Sequence, residues 1–320
     1  MADSGDGRRR VLPVPATQPT EKQPSEEQPT ELDSPGSLDL GLCGHPLAQY
    51  VWRPDLPPSL APRPYLHPVR TLAGTPVTEL MPASHPHHLG VSIAVPELDG
   101  GNYWGGRTFL AGHGPAWLDN HGVQRHHRWV RRSATRAEHR LQWVDHNEVT
   151  LLHEHRVISC RPVSATAWAL GFAFALTNVA GRPLTLNSPA AHGRAGAGYG
   201  GFFWRVAGSG HRVRMFGPPG DGVAALHGAT AGWIALAGTS AADAPEWTLV
   251  FTAADHRTEG DPWFLRTRDY LGVGSALAWD KSLTVEPEVS VERSIVTVIA
   301  DGMLSRAETV DLADAVRSWT

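Results

Sequence analysis

Thiols are nearly missing from this chain, with Cys43 and Cys160 the only cysteines in 320 residues. Two thiols make neither a disulfide framework nor a thiolate zinc site, and a reducing cytoplasm is the simpler expectation. Charge of one sign is missing too. Lys and Arg number 28 against 32 Asp and Glu, a net charge of -4, which gives no electrostatic case for nucleic acid or an anionic membrane. No apolar run approaches the roughly 20 residues of a membrane span. The longest, 165–176, is broken by Thr166 and Gly171 and suits a buried strand. Arg8, Arg9 and Arg10 are followed by no apolar run of about 7–15 residues, so no secretory signal is visible. There is no nucleophile elbow, P-loop or dinucleotide fingerprint. There is also no 20–50-residue repeat, which argues against a propeller or solenoid. These absences predict a soluble, cytoplasmic protein without a nucleic-acid or membrane partner, and leave the oligomeric state open.

The chain does hold enough apolar residues, 41%, for a substantial core. Residues 1–38 are rich in Pro, Glu, Gln, Ser and Thr, and read as a disordered tail because they cannot bury enough apolar surface to offset chain entropy. Residues 39–320 read as one domain. From Gly44 onward, short β-branched and aromatic runs alternate with Gly, Pro, Asn and Asp turns. Over 148–158 the period of two places Val149, Leu151, His153, His155 and Val157 on one face, and the company of Val149 and Leu151 points the two histidines inward. Segments 172–178 and 183–187 resemble a hairpin around Gly181, and 233–236, 247–252 and 295–300 are further strands. One helix is expected, near the C-terminus. Ser305 and Glu308 match a capping box, and Ala307, Val310, Ala313 and Val316 form an apolar stripe. With 26 Pro and 33 Gly, the architecture predicted is all-β, a large antiparallel sandwich.

The chemistry concentrates in residues 63–104. Four histidines, His67, His85, His87 and His88, lie there in Pro-punctuated, aromatic-flanked settings, and imidazole is the side chain suited to proton transfer or metal binding near neutral pH. In His85-Pro-His-His88 the proline favours extended backbone. That would put His85 and His87 on one side and His88 on the other, a pattern that serves either a metal or acid/base work, or merely a solvated turn. Arg63, Tyr65, His67 and Arg70 carry polar tips along an edge-like strand, the arginines offering forks of donors for substrate oxygens or simple surface ion pairs. In Gly100-Gly-Asn102-Tyr-Trp104-Gly-Gly-Arg107 the glycines allow close backbone approach, and Trp104 is placed to stack on a sugar ring unless the aromatic pair is core. Residues 198–205 repeat the theme, ending in Arg205. His126, downstream of Asp119-Asn-His-Gly122, is a candidate third ligand beside His85 and His87. Asp255, Glu259 and Asp261 are candidate carboxylate partners for a histidine.

Several of these pieces match a known family. Arg63-Pro-Tyr-Leu-His67-Pro-Val, Gly74-Thr-Pro-Val-Thr78, His85-Pro-His-His88-x-Gly90, Asn102-Tyr-Trp104-Gly-Gly, 198–205, Asp261-Pro-Trp263 and Asp301-Gly302 resemble the PmoA-like family of bacterial soluble proteins. That label is borrowed from a methane monooxygenase subunit, an integral membrane protein that this chain does not resemble in hydropathy. The resemblance covers about residues 45–303. Members often carry Asp immediately before the His-Pro-His-His block, where this chain has Ser84, so any orienting role of that carboxylate is lost or moved. The resemblance implies a galactose mutarotase-like β-sandwich and a carbohydrate substrate.

The leading expectation is therefore a carbohydrate-processing enzyme of epimerase, hydratase or lyase type, acting on a sugar or keto-glycoside. His67, His87, His88 and Asp261 are its expected catalytic groups. Arg63, Tyr65, Arg70, Asn102, Trp104 and Arg205 are the expected substrate contacts. No cofactor is required in that reading. The alternatives are a metal-dependent oxygenase or lyase holding a divalent metal on His85, His87 and His126, and a non-catalytic sugar-binding sandwich.

Overall fold

Alternation along the longest strands decides which face each presents. In Ala167–Asn178, Trp168, Leu170, Phe172, Phe174 and Leu176 are all buried in the main core, while Ala167 and Ala169 turn to a second cluster on the opposite face. The computed structural model describes residues 36–317 except Ser209, together with Met1 and Trp319. Most of the expected tail lies outside the described residues. Ser37 and Leu38, at its end, already belong to the strand Ser37–Leu42.

The fold is an all-β antiparallel sandwich. One sheet has seven strands in the order Ser37–Leu42, His45–Val51, Tyr65–Val69, Val91–Ala94, Gly201–Arg205, Gly272–Ala276, Trp263–Arg266. The other has nine, running Gly220–Asp221, Val213–Gly217, Trp233–Thr239, Glu246–Ala253, Ser290–Asp301, Ala167–Asn178, Thr150–Pro162, Arg136–Val144, Val123–Ser133. Their inner faces meet through aromatic pairs such as Phe172 with Phe202 at 5.6 Å and Trp204 with Phe251 at 5.4 Å between ring centroids. Burial of such rings supplies the main favourable term in a core of this kind.

The C-terminal helix Arg306–Val316 is present with the expected capping box on Ser305 and Glu308. Ala313 and Val316 pack on the outer face of the nine-stranded sheet against Val250, Val296 and Val298. Besides it, the described residues hold two single-turn α-helices, Val223–Leu226 and His256–Glu259, and two short 3-10 turns, Pro58–Leu60 and Gly210–Arg212. Strands expected at 233–236, 247–252 and 295–300 lie within Trp233–Thr239, Glu246–Ala253 and Ser290–Asp301.

Two expectations are corrected. Segment 183–187 does not fold back on 172–178. Its strand, Leu184–Asn187, joins Leu283–Val285 and Glu97–Leu98 in a separate three-stranded sheet. Thr150–Pro162 does alternate, but the inward face is the one bearing Leu152, Glu154, Arg156 and Ile158, leaving His153 exposed and His155 half-buried. Glu154 and Arg156 are wholly buried because they neutralise each other at 2.6 Å and are hydrogen-bonded further by Trp143 and Gln124. A paired and satisfied charge loses most of the penalty that keeps single charges at the surface.

The outer face of the seven-stranded sheet positions the site. Phe202 and Trp204 point to the core, so Phe203 and its neighbours Ala94 and Phe264 point away from it, where Trp104, Tyr199, Tyr270 and Trp279 cover them.

Candidate active site

On that outer face lies a cavity of about 410 Å³, walled by the His85–His88 turn, the loop 104–107, Trp117, Arg194, Tyr199, Phe264, Arg266 and Tyr270. The His-Pro-His-His block is not extended. The His88 amide donates to the His85 carbonyl at 3.0 Å, closing a turn. All three imidazoles therefore gather on one side. His85 stacks on His88 at 4.7 Å, and His87 meets His88 edge-on at 4.8 Å. His88 is 2% exposed and boxed in by Trp104, Phe203 and Tyr270, with its Nδ1 lacking a hydrogen-bond partner. His85 Nδ1 is 3.0 Å from Ser84 Oγ.

Burial holds all three imidazoles below their ordinary range. For His87 it acts together with Arg63, His85 and His121 and brings the value to about 3. For His88 it acts with the neighbouring His87 and His85 and drives the value lower still. For His85 burial and Arg205 outweigh the opposing pull of Asp269. The three are neutral at pH 7, each ring carrying one donor and one acceptor nitrogen.

Glycine makes this approach possible. Gly105 and Gly106 have φ of 94° and 71°, and a Cβ at Gly106 would lie 2.9 Å from His87 Nδ1. Asn102 sets the same loop, accepting from the amides of Trp104 at 2.9 Å and Gly105 at 2.8 Å and donating to Thr108 Oγ1. It is buried and absent from the cavity wall. It shapes the loop rather than facing a substrate. Tyr103 turns into the core against Trp143, and Trp104 turns to the cavity.

Other expected site residues are placed elsewhere. Arg63 is 1% exposed and donates to the carbonyls of His87 at 2.8 Å, Trp104 at 3.0 Å, Ala61 and Leu60, and to Ser92 Oγ. Its fork is occupied by backbone, so it clamps two cavity segments together instead of holding substrate. His67 bonds Thr78 Oγ1 at 3.0 Å, Arg70 bonds the Gly74 carbonyl, and Tyr65 is buried opposite Val51. None of the three borders the cavity.

Asp261 is buried and closed off by a two-point ion pair with Arg293 at 2.6 and 2.8 Å, so it is not the carboxylate of this site. Glu259 pairs with Arg317, and Asp255 caps the helix His256–Glu259. Arg205 lies behind the wall. It pairs with Glu79, donates to the Leu271 carbonyl and carries the ring of Tyr270 over its guanidinium. His126 sits in a different ring cluster, 2.8 Å from His139 through their Nδ1 atoms and packed on Trp52. The set His85, His87 and His126 is therefore not assembled. Among the described residues no group of three or more His, Cys, Asp or Glu is arranged to hold a metal ion.

Arg194 and Tyr270, which stand alone in loops, and Arg266, at the end of the strand Trp263–Arg266, were not among the expected site residues. Trp117 and Arg107 are equally on the wall. Only Arg107, next to the Gly pair, and Tyr199, in the Gly198-Tyr-Gly-Gly motif, had a local signal.

A family model matches residues 37–314, which is most of the chain. The chain belongs to a family of unknown function, DUF6807. That family is what the match supports, and the PmoA-like label is not carried by it. No curated protein matches the sequence. Among solved structures the chain is similar to the GH36 alpha-galactosidase of Geobacillus stearothermophilus in complex with raffinose, at 12% identity and TM-score 0.37 over 83% of this chain and 40% of that one. It is also similar to the alpha-galactosidase of Lactobacillus brevis, at 9% identity and TM-score 0.41 over 83% and 39%. A third likeness is to a heparan sulfate lyase of Pedobacter heparinus, at 9% identity and TM-score 0.26 over 57% and 22%. The chain spans about two fifths of the two galactosidases. Likenesses this distant carry no activity across to the family. Among the described residues no helix is long and apolar enough to cross a membrane.

Proposed function

We propose that this cavity binds a carbohydrate and acts on it by proton transfer through His85, His87 and His88. The observation that carries the reading is the convergence of three neutral imidazoles on one cavity whose wall also presents the rings of Trp104, Tyr199 and Tyr270. Aromatic faces suit the C–H faces of a sugar, and imidazole nitrogens can both accept and return a proton at its hydroxyls or at a carbon next to a carbonyl. The volume falls in the range of small-molecule sites, about 300–1,000 Å³. His87, held between Arg63 and Gly106, is the proposed base, and His85, the most solvent-reached of the three, the group that exchanges its proton with water. Since no Asp or Glu among the described residues lines the cavity, the histidine-with-carboxylate arrangement expected from sequence gives way in this reading to histidines alone.

The test follows aldoses and keto-glycosides with the full chain in D₂O by NMR. Deuterium uptake at carbon, anomeric exchange above the spontaneous rate, or elimination is expected with at least one sugar, and is abolished in a folded His87→Gln variant. Sugar binding without any such reaction in the wild type would instead establish the non-catalytic sugar-binding sandwich.

A further inference from the structure

The cavity wall is lopsided in charge. Arg107, Arg194 and Arg266 border it, and among the described residues no Asp or Glu does. The chain as a whole has the opposite balance, with 28 Lys and Arg against 32 Asp and Glu.

The three arginines differ in what balances them. Arg266 is compensated by Asp269 at 2.9 Å. Arg107 and Arg194 pair with no carboxylate among the described residues. Each lies instead over an aromatic ring, Arg107 above Trp117 and Arg194 above Phe109, both at 5.9 Å. A ring face orients a guanidinium without cancelling its charge.

The supports belong to one element. Phe109 is in the strand Thr108–Leu110, paired with Gly114–Ala116; Arg107 directly precedes this hairpin and Trp117 directly follows it. A two-stranded hairpin thus steers two uncompensated, solvent-reached forks at the rim. The histidines deeper in the cavity are neutral and offer hydrogen bonds without adding a competing charge. An arginine fork matches the paired oxygens of a carboxylate or phosphoryl group.

We propose that the ligand of this cavity is an anionic sugar, whose carboxylate or phosphoryl group is held at the rim by Arg107 and Arg194 while the ring lies against the aromatic and imidazole wall. This rests on the carbohydrate reading of the same site and adds the charge of the substrate to it.

The experiment is calorimetric titration of the full chain with glucose, galactose and mannose, each as the neutral sugar, the uronate and the 6-phosphate, with inorganic phosphate as a further arm. Wild type is compared with Arg107→Gln and Arg194→Gln, both exposed positions, in low and in 0.3 M salt. At least one charged sugar is expected to bind about tenfold or more tighter than its neutral parent, the gain of a charge-assisted contact. That advantage should shrink in each variant and with salt. Whether uronate or phosphate gives it identifies the anionic group. Neutral and charged sugars binding alike, and alike in the variants, would overturn the anionic ligand and leave the carbohydrate reading standing. Inorganic phosphate binding as tightly as any sugar would overturn the sugar ring and the proposal with it. No binding by any member of the panel would overturn both readings.

Discussion

Burial, reinforced by mutual contact, favours the uncharged form of the three imidazoles, and this makes the protein acid-sensitive. His87 titrates near 3 when folded and near 6.5 when unfolded. Between those values the unfolded state holds a proton that the folded state lacks, so stability is complete above about pH 6.5 and falls as pH drops toward 3. At pH 5 the loss from His87 alone is about 2 kcal/mol, and His88 and His139, both lowered chiefly by burial, act in the same direction. Urea unfolding at pH 7.5 and pH 5 should show this, with His87→Gln losing about 2 kcal/mol of the pH dependence. Gly106→Ala should cost about 1–2 kcal/mol from its positive φ and, by pressing on the His87 ring, weaken ligand binding severalfold. Thermal unfolding and titration of the same variant check the two effects. The crowding of histidines was legible in the sequence. Their convergence was not, because the proline signal spoke for extension while the His88 amide found the His85 carbonyl.

At the scale of elements, local rules worked where local contacts decide. Ser305 accepts from the Glu308 amide and Glu308 returns the bond, a reciprocal pair visible three positions apart. Ser305→Ala should lower stability by about 1 kcal/mol, read as a drop of a few degrees in the thermal midpoint, with the helix retained by circular dichroism because Ala313 and Val316 remain packed. Local rules failed where a strand had two available partners. Leu184–Asn187 follows Ala167–Asn178 closely enough for a hairpin, yet pairs with a strand almost a hundred residues later. In Thr150–Pro162 the period was right and the inward face wrong, since Val149 and Leu151 suggested one face and the buried ion pair took the other.

Over the whole molecule, that ion pair ties the two sheets together. Arg156 holds Glu154 and Gln124 on its own sheet and reaches Tyr50 Oη and the Pro64 carbonyl at 3.3 Å on the other side. Removing one partner leaves the other charge buried and alone. Glu154→Gln should therefore destabilise by about 3–5 kcal/mol, and the apolar double replacement Glu154→Leu with Arg156→Met should recover much of that loss. Chemical denaturation of the three proteins tests it, and equal stability of wild type and Glu154→Gln would refute the role.

What the amino-acid sequence determined by itself is what short-range physics controls: β rather than helical structure, one capped terminal helix, and the crowding of His85, His87 and His88 in one segment. What only the tertiary structure decided is how each polar group is used. Arg63 and Asp261 read as functional and are occupied by a backbone clamp and by Arg293. Arg107 stood in the sequence only as the end of a glycine-rich motif and Arg194 drew no notice, yet both border the cavity and pair with no carboxylate among the described residues. The reason is that a charge's role depends on its partner, and partners here lie tens of residues away in sequence, brought together only when the sheets close.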